Sequence, residues 1–210
     1  SSYTLTAPPT IEIDLNVLTF PGGSNVSCPD ATDGQITATA TGGTGLITLQ
    51  WTGPTGPYPP GGALTDLSAG TYALSATDAN SCQVDTAITL LAPSPLDVTL
   101  SSPVTAGGTN IACAGDTTGS ITTSVTGGQP GYTYTWTGPG GTVLNGADLQ
   151  DLGAGLYELT LTDALGCSTT ASIVLSEPDT LAVSFTVSDI GGFGTSCTAN
   201  DGSISTSITG

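Results

Sequence analysis

Five cysteines (Cys28, Cys82, Cys113, Cys167 and Cys197) and two aspartates in matching turns, Asp78 and Asp163, are the side chains best placed for covalent or metal chemistry. The chemistry open to them is narrow. The 210-residue chain has no Lys, Arg, His or Met, and 17 acidic residues give it a formal charge of -17. Without Lys there is no Schiff base, no ammonium to cradle phosphate and no Lys-based isopeptide bond. Without His there is no triad and no His-containing zinc site. Thiol oxidation, oxygen ligation of a hard cation and paired-carboxylate hydrolysis remain. Five cysteines in a chain with no intracellular features point to oxidised, extracellular bridges. A surface of one sign forms no ion pairs and repels nucleic acid and anionic membrane, so neither is an expected partner. Trypsin finds no cleavage site.

These residues recur. Offsetting the sequence by 85 positions lays Cys28 on Cys113, Trp51 on Trp136, Tyr72 on Tyr157, Cys82 on Cys167 and Pro93 on Pro178. The phrase "DLSAGTYALSATDANSC" (66–82) returns as "DLGAGLYELTLTDALGC" (151–167). A third copy begins at Leu181, with Cys197 one residue early. So long a period indicates an array of small domains rather than a solenoid of single hairpins. The expected organisation is the last strand of a preceding repeat at 1–10, a first repeat at 11–95 and a second at 96–180. Residues 181–210 are then the first strands of a truncated third. The chain therefore reads as a segment of a longer polymer. No run approaches the ~18 apolar residues of a membrane span and no signal peptide is visible, so no direct membrane insertion is expected.

Within each copy the apolar residues alternate with Thr and Ser. "SITTSVT" puts Ile121, Thr123 and Val125 on one face, and "YTYTW" does the same with Tyr132, Tyr134 and Trp136. Period-two patterning with Gly, Pro and Asp turns about every ten residues predicts an all-β fold. The expected form is tandem immunoglobulin-like, Greek-key β-sandwiches in a head-to-tail array. Trp51 and Trp136 fall where a sandwich places its core Trp. Tyr72 and Tyr157, after "L-x-A-G", predict a tyrosine corner, with Gly70 and Gly155 permitting the tight backbone and Leu67 and Leu152 closing the sandwich end. Asp78 and Asp163 read as Asx-type turn-formers, with Ca²⁺ ligation as the alternative. Two cysteine pairings stay open. One bridges each repeat internally, Cys28–Cys82 and Cys113–Cys167, with Cys197 awaiting a partner beyond the end. The other follows from an immunoglobulin topology, in which the A–B and F–G turns lie at opposite ends of a domain. There Cys28 meets Cys167, and Cys82 and Cys113 pair outward.

The second copy's "C-x-x-x-x-x-G-S-I-T-x-S-V-T-G-G-x-P-x-Y-T-Y-T-W", followed by "L-x-A-G-x-Y-x-L-x-x-T-D-x-x-G-C", resembles the SprB-type repeat. That repeat is named for the gliding-motility adhesin of Bacteroidetes, whose members leave the cell by type IX secretion. The resemblance covers both full copies and both fragments, and the F–G portion also resembles PKD-like domains. The first copy departs from it, with "GLITLQW" for the aromatic strand and Ser81 for the Gly before Cys82. The resemblance implies an extracellular, cell-surface filament or adhesin stalk. It also implies O-glycosylation at Asp-Thr motifs, which Thr86, Thr117 and Thr180 match. A sequon stands at Asn25-Val26-Ser27.

The function expected is structural. A tandem filament either spaces a binding tip from the cell or transmits load between cell and substratum, with neighbouring repeats as its partners and surface polysaccharide or substratum as a further one. Pro in the linkers "APSP" and "SEPDT" limits the hinges. The alternative is a carbohydrate-binding accessory module using Trp51, Tyr58, Tyr134 or Trp136 as a sugar platform. Catalysis and cofactors are not expected, because the recurring carboxylates have turn explanations and nothing else converges.

Overall fold

A computed structural model describes residues 7–188 and 202–210. Alternating β-branched and small polar residues make each copy a set of strands, because a pleated strand turns every second side chain to the same face. The first copy contributes β1 (Glu12–Val17), β2 (Gly34–Thr41), β3 (Thr48–Gly53), β4 (Gly56–Pro57), β5 (Ala63–Leu67), β6 (Gly70–Thr77) and β7 (Gln83–Leu90). They form a three-stranded sheet ordered β1-β2-β5 and a four-stranded sheet ordered β4-β3-β6-β7. β1 and β2 pair antiparallel from Glu12↔Thr41 to Val17↔Ile36. β6 and β7 pair from Gly70↔Leu90 to Thr77↔Gln83.

The inward faces of the two sheets meet in one core. Ile36 and Ala38 of β2, Leu64 and Leu67 of β5, Trp51 of β3, Tyr72 and Leu74 of β6 and Leu90 of β7 cluster there. Trp51 and Tyr72 have no exposed surface, and the indole N–H, which would be costly to bury unpaired, donates to the Gly61 carbonyl at 3.0 Å. Gly42 follows β2 at φ 85°, and a Cβ there would collide with the carbonyl oxygen of Thr10, so no other residue fits. β5 carries a register shift against β2, taken up by Asp66 at φ 57°, a left-handed conformation that Asp tolerates better than most residues.

The second copy repeats the plan with β8 (Asp97–Ser101), β9 (Gly119–Thr126), β10 (Thr133–Thr137), β11 (Val143–Leu144), β12 (Leu149–Leu152), β13 (Gly155–Thr162) and β14 (Ser168–Leu175). Its sheets are ordered β12-β9-β8 and β11-β10-β13-β14. Asp151 repeats the positive φ of Asp66, at 58°. Trp136 is fully buried and donates to Gly146 O at 3.0 Å, repeating the bond of Trp51. By packing, the chain divides into two units. One holds residues up to 98 with the turns 125–133 and 161–169, and the other holds 99–124, 134–160 and 170 onward.

Residues 182–209 hold β15 (Ala182–Val187) and β16 (Ile204–Thr209). They pair from Ala182↔Thr209 to Val187↔Ile204, the register of β1 on β2. Val183, Phe185, Val187, Ile204 and Ile208 are exposed on this hairpin. The strand expected at 1–10 lies largely outside the described residues, and 7–10 carry no regular secondary structure.

Trp51→Ala should cost the first sandwich about 3–5 kcal/mol, as large cavities in β-cores do. Hydrogen exchange of the β2, β3 and β6 amides checks this, with faster exchange expected there and little change in β12 and β9.

Candidate functional site

The loop from β1 to β2 carries Cys28, and backbone hydrogen bonds hold it in place. Asn25 is buried; its Nδ2 donates to Leu18 O at 2.9 Å and its Oδ1 accepts from Leu91 N at 2.9 Å. Its own N–H donates to Leu91 O at 2.7 Å, and Val26 beside it is fully buried. This clamp fixes the loop to the end of β7. Ser27 N then donates to Asp33 Oδ1 at 3.0 Å, and Ala31 N to Cys28 O at 3.0 Å. Burial pulls the Asp33 carboxyl upward, but hydrogen bonds from the Ser27 side chain and backbone outweigh it and hold it below the usual range.

The turn from β13 to β14 carries Cys167, organised by the buried carboxylate of Asp163. Its Oδ1 accepts from Leu165 N and Cys167 N at 2.9 Å each, and its Oδ2 from Gln129 N at 2.8 Å. Asp78 does the same one period earlier, accepting from Asn80 N and Cys82 N at 2.9 Å and from Thr44 N at 2.8 Å. Thus one carboxylate closes the turn from β6 to β7 or from β13 to β14, the F–G turn, and ties it to the loop after β2 or β9; the β1–β2 and β8–β9 loops are the A–B loops. The backbone N–H of Cys82 is the main reason the Asp78 carboxyl is held below its ordinary value; the N–H groups of Thr44 and Asn80 add to it, and burial opposes. Both oxygens face N–H dipoles, whose positive ends would oppose a cation. Among the described residues no group of three or more His, Cys, Asp or Glu could hold a metal ion.

Cys28 and Cys167 form a disulfide, with Cα atoms 5.6 Å apart and 139 positions between them in sequence. The Cys167 Sγ also lies 3.3 Å from Ser27 O. The bridge therefore joins the first copy to the second, and the pairing of each copy within itself does not form. The strand registers give the reason. Leu67 pairs with Gly34, just beyond the Cys28 loop, and β6 starts at Gly70 near that same end. β6 then runs eight residues away to Thr77, opposite Gln83. At ~3.3 Å per residue this puts Cys82 roughly 25 Å from the Cys28 end, against the ~7 Å a disulfide spans. Cys82 and Cys113, also expected in bridges, are free and exposed thiols. Cys197 lies outside the described residues.

Tyr72 OH donates to Ser68 O at 2.9 Å and Tyr157 OH to Gly153 O at 3.0 Å, each closing the corner before its strand. Burial raises both phenols above their ordinary value. Gly70 and Gly155 sit at φ 146° and 143°, where a Cβ would strike Pro54 and Pro139. The rings of Trp51 and Trp136 are wholly buried and offer no face to a sugar. Tyr58 is half-buried, its ring tilted 5.8 Å from that of Tyr72, and Tyr134 is half-buried on β10. Thr117 and Thr180 are exposed; Thr86 is half-buried on β7.

The asparagine clamp is the functional element that sequence reasoning missed. Asn110 repeats it: its Nδ2 donates to Pro103 O at 3.2 Å, and its Oδ1 accepts from Ser176 N at 3.0 Å. Its signal in the sequence is the recurrence of "NVSC" as "NIAC" at the 85-residue offset, which keeps the Asn but not the sequon.

Two sheets around a buried Trp, closed by a corner Tyr and repeated in tandem, define a series of immunoglobulin-like β-sandwiches. The family model of the SprB repeat matches residues 24–56 and 106–141, each match starting in the loop from β1 to β2 or from β8 to β9 and spanning its cysteine. No curated protein matches the sequence. Among solved structures, the chain is similar to three N-terminal domains of the bacteriophage RB49 highly immunogenic outer capsid protein. Identity is 15%, with 96% of this chain and 70% of that one covered and a TM-score of 0.48. It is also similar to DIP-gamma IG1+IG2, at 14% identity over 80% of this chain and 98% of that one, with a TM-score of 0.40.

Cleavage before Asp places each of the five cysteines on its own peptide. A non-reducing digest should yield the 14–29 peptide linked to 163–178, and a 14–29 to 78–84 link would refute the assignment. Because the Asp78 pKa is lowered on folding, its contribution to stability is present above the unfolded value of about 3.9 and lost as pH falls through the lower folded value. Asp78→Asn should lower Tm at pH 7, and its difference from wild type should shrink as pH drops below about 4. A pH-independent difference would count against the cradle.

Proposed function

We propose that this chain is a structural segment of an extracellular adhesin stalk or filament. Its tandem sandwiches space a binding tip from the cell surface or transmit force between cell and substratum during attachment or gliding. The observation that carries this reading is the match to the SprB repeat in both copies, together with a disulfide that ties one copy to the next. The neighbouring repeats are its first partners, and a surface polysaccharide or the substratum is the outer one. Export by the type IX route and a cell-surface location go with the same reading. On this reading the segment has a structural rather than a catalytic role, which the engagement of its two cradled carboxylates, Asp78 and Asp163, with backbone N–H groups supports. The carbohydrate-module alternative loses its strongest platform, since both indoles are in the cores.

Antibody to this segment should label intact producing cells along surface filaments, and deleting the coding region should abolish attachment or gliding. Label that appears only after lysis would overturn the reading. Under tension applied at the termini, the Cys28–Cys167 bridge shields the chain between them from extension. Reduction should therefore lengthen the unfolded contour by roughly 480 Å, at ~3.5 Å per residue over that separation. Equal contour lengths before and after reduction would show that the bridge is not in the path of the force.

A further inference from the structure

Cys113 stands one period after Cys28, and Cys82 one period before Cys167, yet among the described residues only Cys28 and Cys167 are bonded. The free thiols are held as their bonded counterparts are. Asn110 clamps the Cys113 loop to the end of β14 as Asn25 clamps the Cys28 loop to β7. Asp78 draws in the backbone N–H of Cys82 as Asp163 draws in that of Cys167, at 2.9 Å in each case. Two cysteines set in the same frames as a bonded pair, both exposed, and one period out of step with it, are two unfilled ends of one bonding pattern.

We propose that Cys113 bonds to the F–G cysteine of a following copy of this repeat and Cys82 to the A–B cysteine of a preceding copy. Every copy in the array then carries two bridges to its neighbours and none of its own. In forming each bridge, two thiols become one S–S bond, losing two protons and two electrons. A disulfide-bearing oxidant accepts these and leaves as two thiols. The partner on each side is a further copy of this same repeat, because only the repeat places a cysteine in the matching turn. The β15–β16 hairpin, in the register of β1–β2, marks the start of such a copy. This inference rests on the tandem-stalk reading above and adds to it the covalent register of the array.

The test uses the native surface protein, alkylated without reduction and digested before Asp. The 97–115 peptide should appear linked to an F–G peptide of the following copy, and 78–84 to an A–B peptide of the preceding one, with neither carrying an alkyl group. Alkylated Cys82 or Cys113, or a bond between these two within one chain, overturns the inference while filaments seen on the cells leave the stalk reading standing. Absence of filaments sinks that reading instead. As a second arm, Cys113→Ser in the native protein should expose one new maleimide-reactive thiol, on the following copy. A variant that loses one reactive thiol relative to wild type shows that Cys113 was free and refutes the pairing.

Discussion

A chain with no cationic side chain has to satisfy its buried carboxylates without ion pairs, and everything at the ends of these sandwiches follows from how it does so. Asp78 and Asp163 are buried and each accepts three backbone N–H groups, two from its own turn and one from a loop across the sheet. A hydrogen bond to an ionised acceptor is about twice as strong as a neutral one, so three of them fix a turn that sequence leaves loose. The cradle sets where the F–G cysteine stands. At the opposite end the asparagine clamp does the same for the A–B cysteine, with neutral hydrogen bonds in place of charged ones. The two devices make the cysteines' positions properties of the fold rather than of mobile loops.

The bridge between copies is thus a consequence of topology. Antiparallel pairing places the two cysteines of one copy at opposite ends of the same sheet pair, where no rotamer change can join them. A sandwich this small gains from a disulfide, and it obtains one only by reaching into another copy. The SprB match begins in the A–B loop of each copy and takes in Cys28 and Cys113, so the bonding position lies inside the recognised motif.

Strands, core tryptophans and corner tyrosines were legible in the sequence because each rests on a local pattern: period-two alternation, a Trp on an inward position, a Tyr two residues after a Gly. Recurrence at 85 residues sharpened all three. The cysteine pairing was legible only as two alternatives, because it depends on which end of a sandwich each turn occupies, a property of strand order that no local pattern states. The role of Asn25 was hidden for a related reason. Its partners are the backbone groups of Leu18 and Leu91, which carry no side-chain signature, and the residue itself sits in a glycosylation sequon that invited another reading. The turn-forming role of the acidic turns was legible from their place before each cysteine, and the N–H groups around each carboxylate carry it out.

The disulfide from Cys28 to Cys167 closes a covalent ring through most of the chain. Hydrolysis of a peptide bond anywhere inside that ring leaves the two flanking ends joined through sulfur, and further cuts inside it change nothing in that respect. Cuts at the exposed turns between the two cysteines therefore leave the segment before Cys28 and the segment after Cys167 on one molecule.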